Sequence, residues 1–253
     1  MTALERPTGD LELVGRVRSA SNATFVGRLD DVQVVYKPVA GEQPLWDFPD
    51  GTLAGREVAS YLVSEALGWR IVPPTWLGDG PHGPGMLQHW REIDPDQEAV
   101  TVVAADAVPA DRLHVFDGLD AAERPVSLVH EDTSPLRRMA LFDVVVNNAD
   151  RKGGHVLEMS DGHRHGIDHG LTFHAQHKLR TVLWGWLGQP LTPDERAGLE
   201  RLKEALPALR GPLSELVSEP EIEALEQRTQ SLLRAGTFPA PSGDMPPIPW
   251  PPF

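Results

Sequence analysis

The chain of 253 residues carries 23 lysines and arginines against 37 acidic side chains, a formal net charge of −14, and has no cysteine. That length allows one large domain or a two-lobed unit with a sizeable core, while the composition excludes a collagen, a coiled coil and a disulfide scaffold. Without cysteine there is no thiol nucleophile and no thiolate metal site, so any chemistry must use oxygen and nitrogen groups. The acidic balance weakens attraction to polyanions, so neither nucleic acid nor stable membrane association is expected. Residues 1–10 place acids and a proline before any apolar run, unlike a signal peptide, and no stretch approaches a membrane span, so the expected location is cytoplasmic.

Residues 11–39 contain short apolar or alternating segments broken near 19–22 and 29–31, the pattern of three antiparallel strands. Turn formers fill 44–52. Residues 53–67 then carry apolar side chains at helical spacing, and Gly68 is a suitable terminator. Ile71-Val72, Trp76-Leu77 and residues 85–90 predict further strands around Pro73-Pro74. Residues 93–133 mix acids, prolines and small side chains and read as an irregular connection or insertion. A Ser-Pro start and the periodic Leu136, Met139, Ala140, Phe142, Asp143 and Val146 predict a buried helix over 134–146. Residues 155–168 read as a hairpin around Asp161-Gly162. Helices are expected over 180–187, 194–209 and 220–235, followed by a tail, 239–253, whose seven prolines favour extended or polyproline II backbone.

Lysine is scarce: Lys37, Lys152, Lys178 and Lys203 are the only four. Lys37 ends a strand and Glu57 lies early in the next helix. A compact ammonium with its rotamer held by a carboxylate suits the bridging of phosphate oxygens, although a lysine that keeps an edge strand soluble is the simpler explanation of one residue. The polar loop 19–24, including Ser21 and Asn22, could cover phosphates with amides and hydroxyls, or be an ordinary hairpin loop. The sharpest string is Asn147-Asn148-Ala149-Asp150-Arg151-Lys152-Gly153-Gly154-His155, followed by a hairpin that returns Gly166-Ile167-Asp168-His169-Gly170. One loop carboxylate can orient a hydroxyl while a second holds a metal, and capping or turn bonds are the alternative use. His163 and His165 share a strand face, a spacing used by zinc sites, so a metallohydrolase with Asp168 as third ligand is a rival from another class.

At these residues the chain resembles the phosphatidylinositol 3- and 4-kinase-like proteins, most closely their short actinobacterial branch. The resemblance spans about residues 11–190. It rests on Val34-Val35-Tyr36-Lys37-Pro38, Gly55-Arg56-Glu57-Val58-Ala59, Asp150-Arg151-Lys152 and Ile167-Asp168-His169-Gly170-Leu171, in that order. It implies that Lys37 contacts ATP phosphates, Glu57 pairs with it, Asp150 is the catalytic-loop aspartate and Asp168 holds the metal. Gln88, His89 and Trp90 fall where the family's hinge cradles adenine. His155 stands where such kinases usually carry a metal-binding asparagine. Imidazole is a softer ligand than an amide oxygen, so manganese joins magnesium as a candidate.

The expected fold is therefore α+β and protein-kinase-like: a small antiparallel-sheet lobe with one helix, then a larger helical lobe. The expected divisions are 1–92 for nucleotide binding, 93–238 for catalysis and metal binding, and 239–253 for a proline-rich tail open to a protein partner. The expected activity is ATP- and Mg2+- or Mn2+-dependent phosphoryl transfer to a hydroxyl of a protein, metabolite or lipid, with nucleotidyl transfer as a variant. A nucleotide-binding pseudokinase or interaction module is the alternative from outside enzymology.

Overall fold

The structure is a computed structural model that describes residues 7, 9–17, 22–43, 45, 48, 52–242 and 245–253. Ser21, and most of the expected loop over 44–52, lie outside the described residues. The N-terminal region is a five-stranded antiparallel sheet in the order β1-β2-β3-β5-β4, with β1 Leu11–Arg16, β2 Phe25–Leu29, β3 Val32–Pro38, β4 Thr75–Gly80 and β5 Gly83–His89. The first three are the strands expected from the apolar alternation. Asp30 turns β2 into β3 at a positive φ of 51°, a conformation that a short polar side chain tolerates. Along β3, Val34, Tyr36 and Pro38 are buried, and Val34 and Tyr36 pack a small core with Leu11, Leu29, Trp76 and Leu87. The period of two therefore turns Val35 and Lys37 to the opposite face. Ile71-Val72 is no strand; it lies in bends before β4, where Pro73 and Pro74 supply no N–H for a ladder.

Helix α1, Leu53–Leu67, follows β3 and is tightly capped. Thr52 accepts the N–H of Gly55 at 2.9 Å, the Glu42 carboxylate takes those of Leu53 and Ala54 at 3.0 and 2.9 Å, and Gly68 ends the helix at φ 74°. Two neighbouring charged residues of α1 are buried, Arg56 and Glu57. Arg56 bonds Glu221 of a distant helix and the Thr172 carbonyl, both at 2.6 Å, and so couples α1 to the rest of the chain.

Residues 93–133 are not an irregular connection. They form a three-stranded antiparallel sheet, β6 Val100–Ala104, β7 Arg112–Leu119 and β8 Pro125–Glu131, in the order β6-β8-β7. Asp106, Pro109, Asp111, Asp120 and Glu123 fall in its turns at 105–111 and 120–124, while Asp117 and Pro125 are tolerated within the strands. Helix α2, Ser134–Val146, is buried along Leu136, Met139, Ala140, Phe142, Asp143 and Val146, as its spacing predicted, and at Leu141 and Val145 as well. It ends at Asn147, whose φ of 54° turns the chain out of the helix. The short strands β9 Val156–Glu158 and β10 Arg164–Gly166 form the expected hairpin.

The helix expected over 180–187 does not form. Gly185 N–H is spent on the His130 ring of β8 at 3.0 Å, the Trp186 indole donates to Asp132 at 2.7 Å, and Thr181 bridges to Arg151. Apolar spacing there records burial against three different neighbours. Helices α3, Pro193–Ser214, and α4, Glu219–Ala235, start with capping boxes at Thr192 and Ser218. Together with α1, α2, Val100, Leu128 and Trp186 they enclose the main core. The tail is docked, not free: the Pro247 carbonyl accepts from Thr181 N–H and the Trp184 indole.

Two stability predictions follow from these contacts. Replacing Arg56 by alanine leaves Glu221 buried without its cation and should cost about 3–5 kcal/mol in chemical denaturation, against about 1 kcal/mol for Thr52→Ala at the α1 cap. Glu131 is paired with Arg164 through both carboxylate oxygens at 2.9 Å. Burial pushes the Glu131 carboxyl up, but Arg164 and Thr133 outweigh it and hold it below its usual value. A depressed folded value contributes stability above the unfolded glutamate pKa of about 4.3, which is lost as pH falls through the folded value. The melting-temperature gap between wild type and Arg164→Met should therefore narrow on going from pH 7 to below pH 4.

Candidate active site

Three chain segments far apart in sequence meet at Lys37. From the cleft-facing side of β3 its ammonium donates to Glu57 Oε1 at 2.8 Å and to Asp168 Oδ1 in a short ion pair. Burial works against the Lys37 charge, but Asp168 and then Glu57 outweigh it and hold the ammonium above its usual range. Reciprocally, Lys37 holds the Asp168 carboxyl well below the usual carboxylate range despite burial. Glu57 also ties the loop behind Asp168, because its second oxygen accepts the His169 N–H at 2.9 Å.

Asp168 sits just after β10 at φ 62°, a left-handed conformation that turns its carboxylate back toward the cleft. That turn is held from behind by Arg151, which is fully buried. Arg151 pairs with Asp143 of α2, Nη2 to Oδ1 at 2.9 Å and Nε to Oδ2 at 3.1 Å, and donates to the carbonyls of His155 and Ile167 at 3.2 and 3.1 Å. Its Nη2 also meets His169 Nε2 at 2.6 Å. Arginine can only donate, so that nitrogen accepts and the imidazole proton belongs on Nδ1, 4.0 Å from Glu57 Oε2. Burial first, and Arg151 second, push the His169 pKa well down, in keeping with a neutral ring. Asn148 and Thr181 complete the shell of Asp143 at 3.0 and 3.2 Å.

The loop after α2 is fixed as firmly. Asn147 donates to the carbonyls of His174 and Gln176 and accepts the Lys178 N–H. The Asn148 side chain accepts the Asp150 N–H at 3.0 Å, a turn that presents the Asp150 carboxylate to the cleft. Lys152 Nζ lies 3.7 Å from that carboxylate. Burial raises the Asp150 pKa, Lys152 and Arg180 oppose the rise, and the Asp168 charge adds to it. His155 Nε2 is 3.4 Å from Asp168 Oδ2, its pKa pushed down to about 4 chiefly by burial, so the ring is neutral at pH 7.

Lys37, Glu57, Asp150, Lys152, His155 and Asp168 line one open cleft of about 380 Å³, with Asn22, Ala23 and Thr24 on the sheet side and Leu171 and Phe253 on the other. Of the residues singled out from sequence, Lys37, Glu57, Asn22, Asp150, His155 and Asp168 are brought together there. Gln88, His89 and Trp90 are not. The Gln88 amide is buried against Thr75 at 2.9 Å, and the N–H groups of His89 and Trp90 bond the carbonyls of Pro74 and Gln33. The strand ladder and its edges take these donors, and none of the three residues lines the cleft. His163 and His165 do meet edge to face, with ring centroids 4.5 Å apart, but each gives a ring N–H to a carbonyl, of Arg70 and Ile71. Among the described residues no three His, Asp or Glu side chains are grouped to hold a metal by themselves. The zinc trio of His163, His165 and Asp168 is therefore not assembled.

Asp143, Arg151 and His169 were missed as a unit. The available signal was an aspartate on the apolar face of a helix, eight residues before an arginine.

No protein-family model matches the chain. Protein Rv2133c of Mycobacterium tuberculosis (strain ATCC 25618 / H37Rv) is 49% identical over 262 residues, covering 97% of this chain and 93% of that protein. Among solved structures, the crystal structure of the Helicobacter pylori proinflammatory kinase CtkA is similar with a TM-score of 0.51 at 12% identity, over 90% of this chain and 95% of that one. The architecture is thus α+β and kinase-like, an antiparallel-sheet N-terminal region followed by a helical C-terminal part.

Asp143→Asn is predicted to lower stability by about 3–5 kcal/mol, because it leaves the Arg151 charge buried without its counterion. Urea unfolding measures it.

Proposed function

We propose that this chain, which belongs to the family of Protein Rv2133c, is an ATP- and divalent-metal-dependent phosphotransferase acting on a hydroxyl acceptor. The observation that carries this reading is the meeting of Lys37, Glu57, Asp150 and Asp168 in one cleft, with Lys37 and Asp168 in contact across 131 residues of sequence. Four charged groups with this chemistry are what phosphoryl transfer requires: a cation on phosphate oxygens, a carboxylate to hold that cation, a carboxylate for a metal and one for the hydroxyl. The order of the motifs supports placing the chain near the phosphatidylinositol 3- and 4-kinase-like proteins. In this reading residues 1–92 serve the nucleotide and 93–238 the chemistry, in a cytoplasmic protein. No helix among the described residues is long and apolar enough to cross a membrane.

Lys37, fixed by Glu57, neutralises phosphate charge. Asp150 orients the acceptor hydroxyl and takes its proton, and the neighbouring Lys152 opposes the rise that burial imposes on its pKa. Asn22, Ala23 and Thr24 cover the phosphates from the sheet side. Asp168 Oδ2 and His155 Nε2, 3.4 Å apart and both facing the cleft, fit two adjacent positions of one metal ion. Kinase metals commonly take one or two protein ligands, with phosphate oxygens and water filling the other positions. When bound, Mg2+ or Mn2+ would offset charge on the phosphates, and the neutral imidazole favours the softer Mn2+.

The test is a thermal-shift series with turnover. ATP with MnCl2 or MgCl2 should raise the melting temperature, by the equivalent of about 2.7 kcal/mol at a hundredfold excess over Kd, and neither alone should match it. Asp150→Asn should keep the shift and lose about 10²- to 10⁴-fold in phosphoryl transfer, whereas Lys37→Met should lose the shift. A wild-type melting temperature indifferent to ATP and metal together defeats the proposal.

A further inference from the structure

Residues 247–253 cross the surface beside the Asp150 loop and are held along their length. The Pro247 carbonyl accepts from Thr181 N–H at 3.0 Å and from the Trp184 indole at 2.9 Å, Ile248 packs on the main core and Pro249 is buried. The Pro252 carbonyl accepts the Gly153 N–H at 2.8 Å. The Phe253 ring then lies on Gly153 and lines the cleft together with Asp150 and Lys152. Gly153 is not in the left-handed region, so its backbone conformation does not call for glycine. What glycine supplies is room, because a Cβ at this position would overlap the Phe253 ring. The loop that carries the acceptor-orienting carboxylate is thus shaped to receive an aromatic side chain from the end of this strap.

We infer that Phe253 is a specificity-determining wall at the acceptor end of the cleft, admitting a compact hydroxyl compound with an apolar face and limiting the access of bulk water. The inference rests on the phosphotransferase reading. The ring is half exposed and cannot hydrogen-bond, so it favours an apolar acceptor surface beside Asp150 and removes one side of the hydration shell there. A long chain lying across the loop would have to lift the strap from Gly153 and Thr181. Where water replaces the acceptor, its oxygen bonds the γ-phosphorus as the bond from that phosphorus to the β,γ-bridging oxygen breaks. Its proton passes to Asp150, and ADP and inorganic phosphate leave. Loss of the wall should promote this side reaction.

The experiment compares the full chain with Phe253→Ala, Gly153→Ala and Phe253→Tyr. Three quantities are read: hydrogen exchange at Gly153 without nucleotide, the thermal shift with ATP and MnCl2, and inorganic phosphate release from ATP. Phe253→Ala and Gly153→Ala, which remove or displace the ring from opposite sides, should speed exchange at position 153. They should raise phosphate release severalfold while keeping the nucleotide shift, and Phe253→Tyr, which keeps an aromatic ring over Gly153, should exchange at position 153 as slowly as wild type. Release unchanged in both alanine variants with the shift intact overturns the inference alone, as does equal exchange in wild type and Phe253→Ala. A wild-type protein without a nucleotide shift removes the phosphotransferase reading, and this inference with it.

Discussion

A guanidinium with no access to water must place its donors on protein acceptors, and the way Arg151 does so organises the molecule. Its partners are a helix carboxylate, two loop carbonyls and an imidazole nitrogen, drawn from α2, the segment after Asp150 and the segment around Asp168. Each such contact carries the penalty of an unsatisfied buried charge if it is lost, so the two loops cannot drift independently. Asp150 and Asp168 inherit their relative position from an arginine that does not line the cleft between them. Glu57 closes the same arrangement from the other side, one oxygen on Lys37 and the other on the His169 amide.

The cleft places two cations, Lys37 and Lys152, among four carboxylates, Glu42, Glu57, Asp150 and Asp168. Two of the four lysines, Lys37 and Lys152, line the cleft of a chain whose net charge is −14. An acidic surface does not stand against a phosphate ligand when local positive charge is buried among low-dielectric walls, where it is screened least. The same burial keeps His155 neutral, which leaves an imidazole lone pair beside the Asp168 carboxylate. Carboxylate, ammonium and neutral imidazole thus lie within a few ångströms of each other because each one's ionisation is set by burial and by the others.

Legibility of this arrangement in the sequence varied with the range of the forces involved. The strands over 11–39, helix α1 and helix α2 follow from side-chain periodicity and caps, which are local, and their residues match the expectation closely. The sheet over 100–131 is hard to read because charged and turn-forming residues, among them Asp117 and Pro125 inside the strands, interrupt the apolar alternation of β6, β7 and β8. The segment 180–187 was misread in the opposite sense, since Leu183, Trp184 and Trp186 are apolar for three different neighbours. Gln88, His89 and Trp90 had been placed by motif order alone, and hydrogen bonding within and beside the sheet turned them elsewhere.

By itself the sequence determined which side chains were available: four lysines, two aspartates in glycine-flanked turns, a glutamate on a helix after a lysine-bearing strand. It determined the elements that carry them, because helix and strand periods are properties of neighbouring residues. Only the tertiary structure decided that Lys37 reaches Asp168, that Arg151 stands behind both loops and that Phe253 closes on Gly153. Those contacts join residues separated by 131, 18 and 100 positions. No local pattern encodes such pairings; they arise when burying apolar faces brings distant polar groups out of water and leaves them only one another as partners.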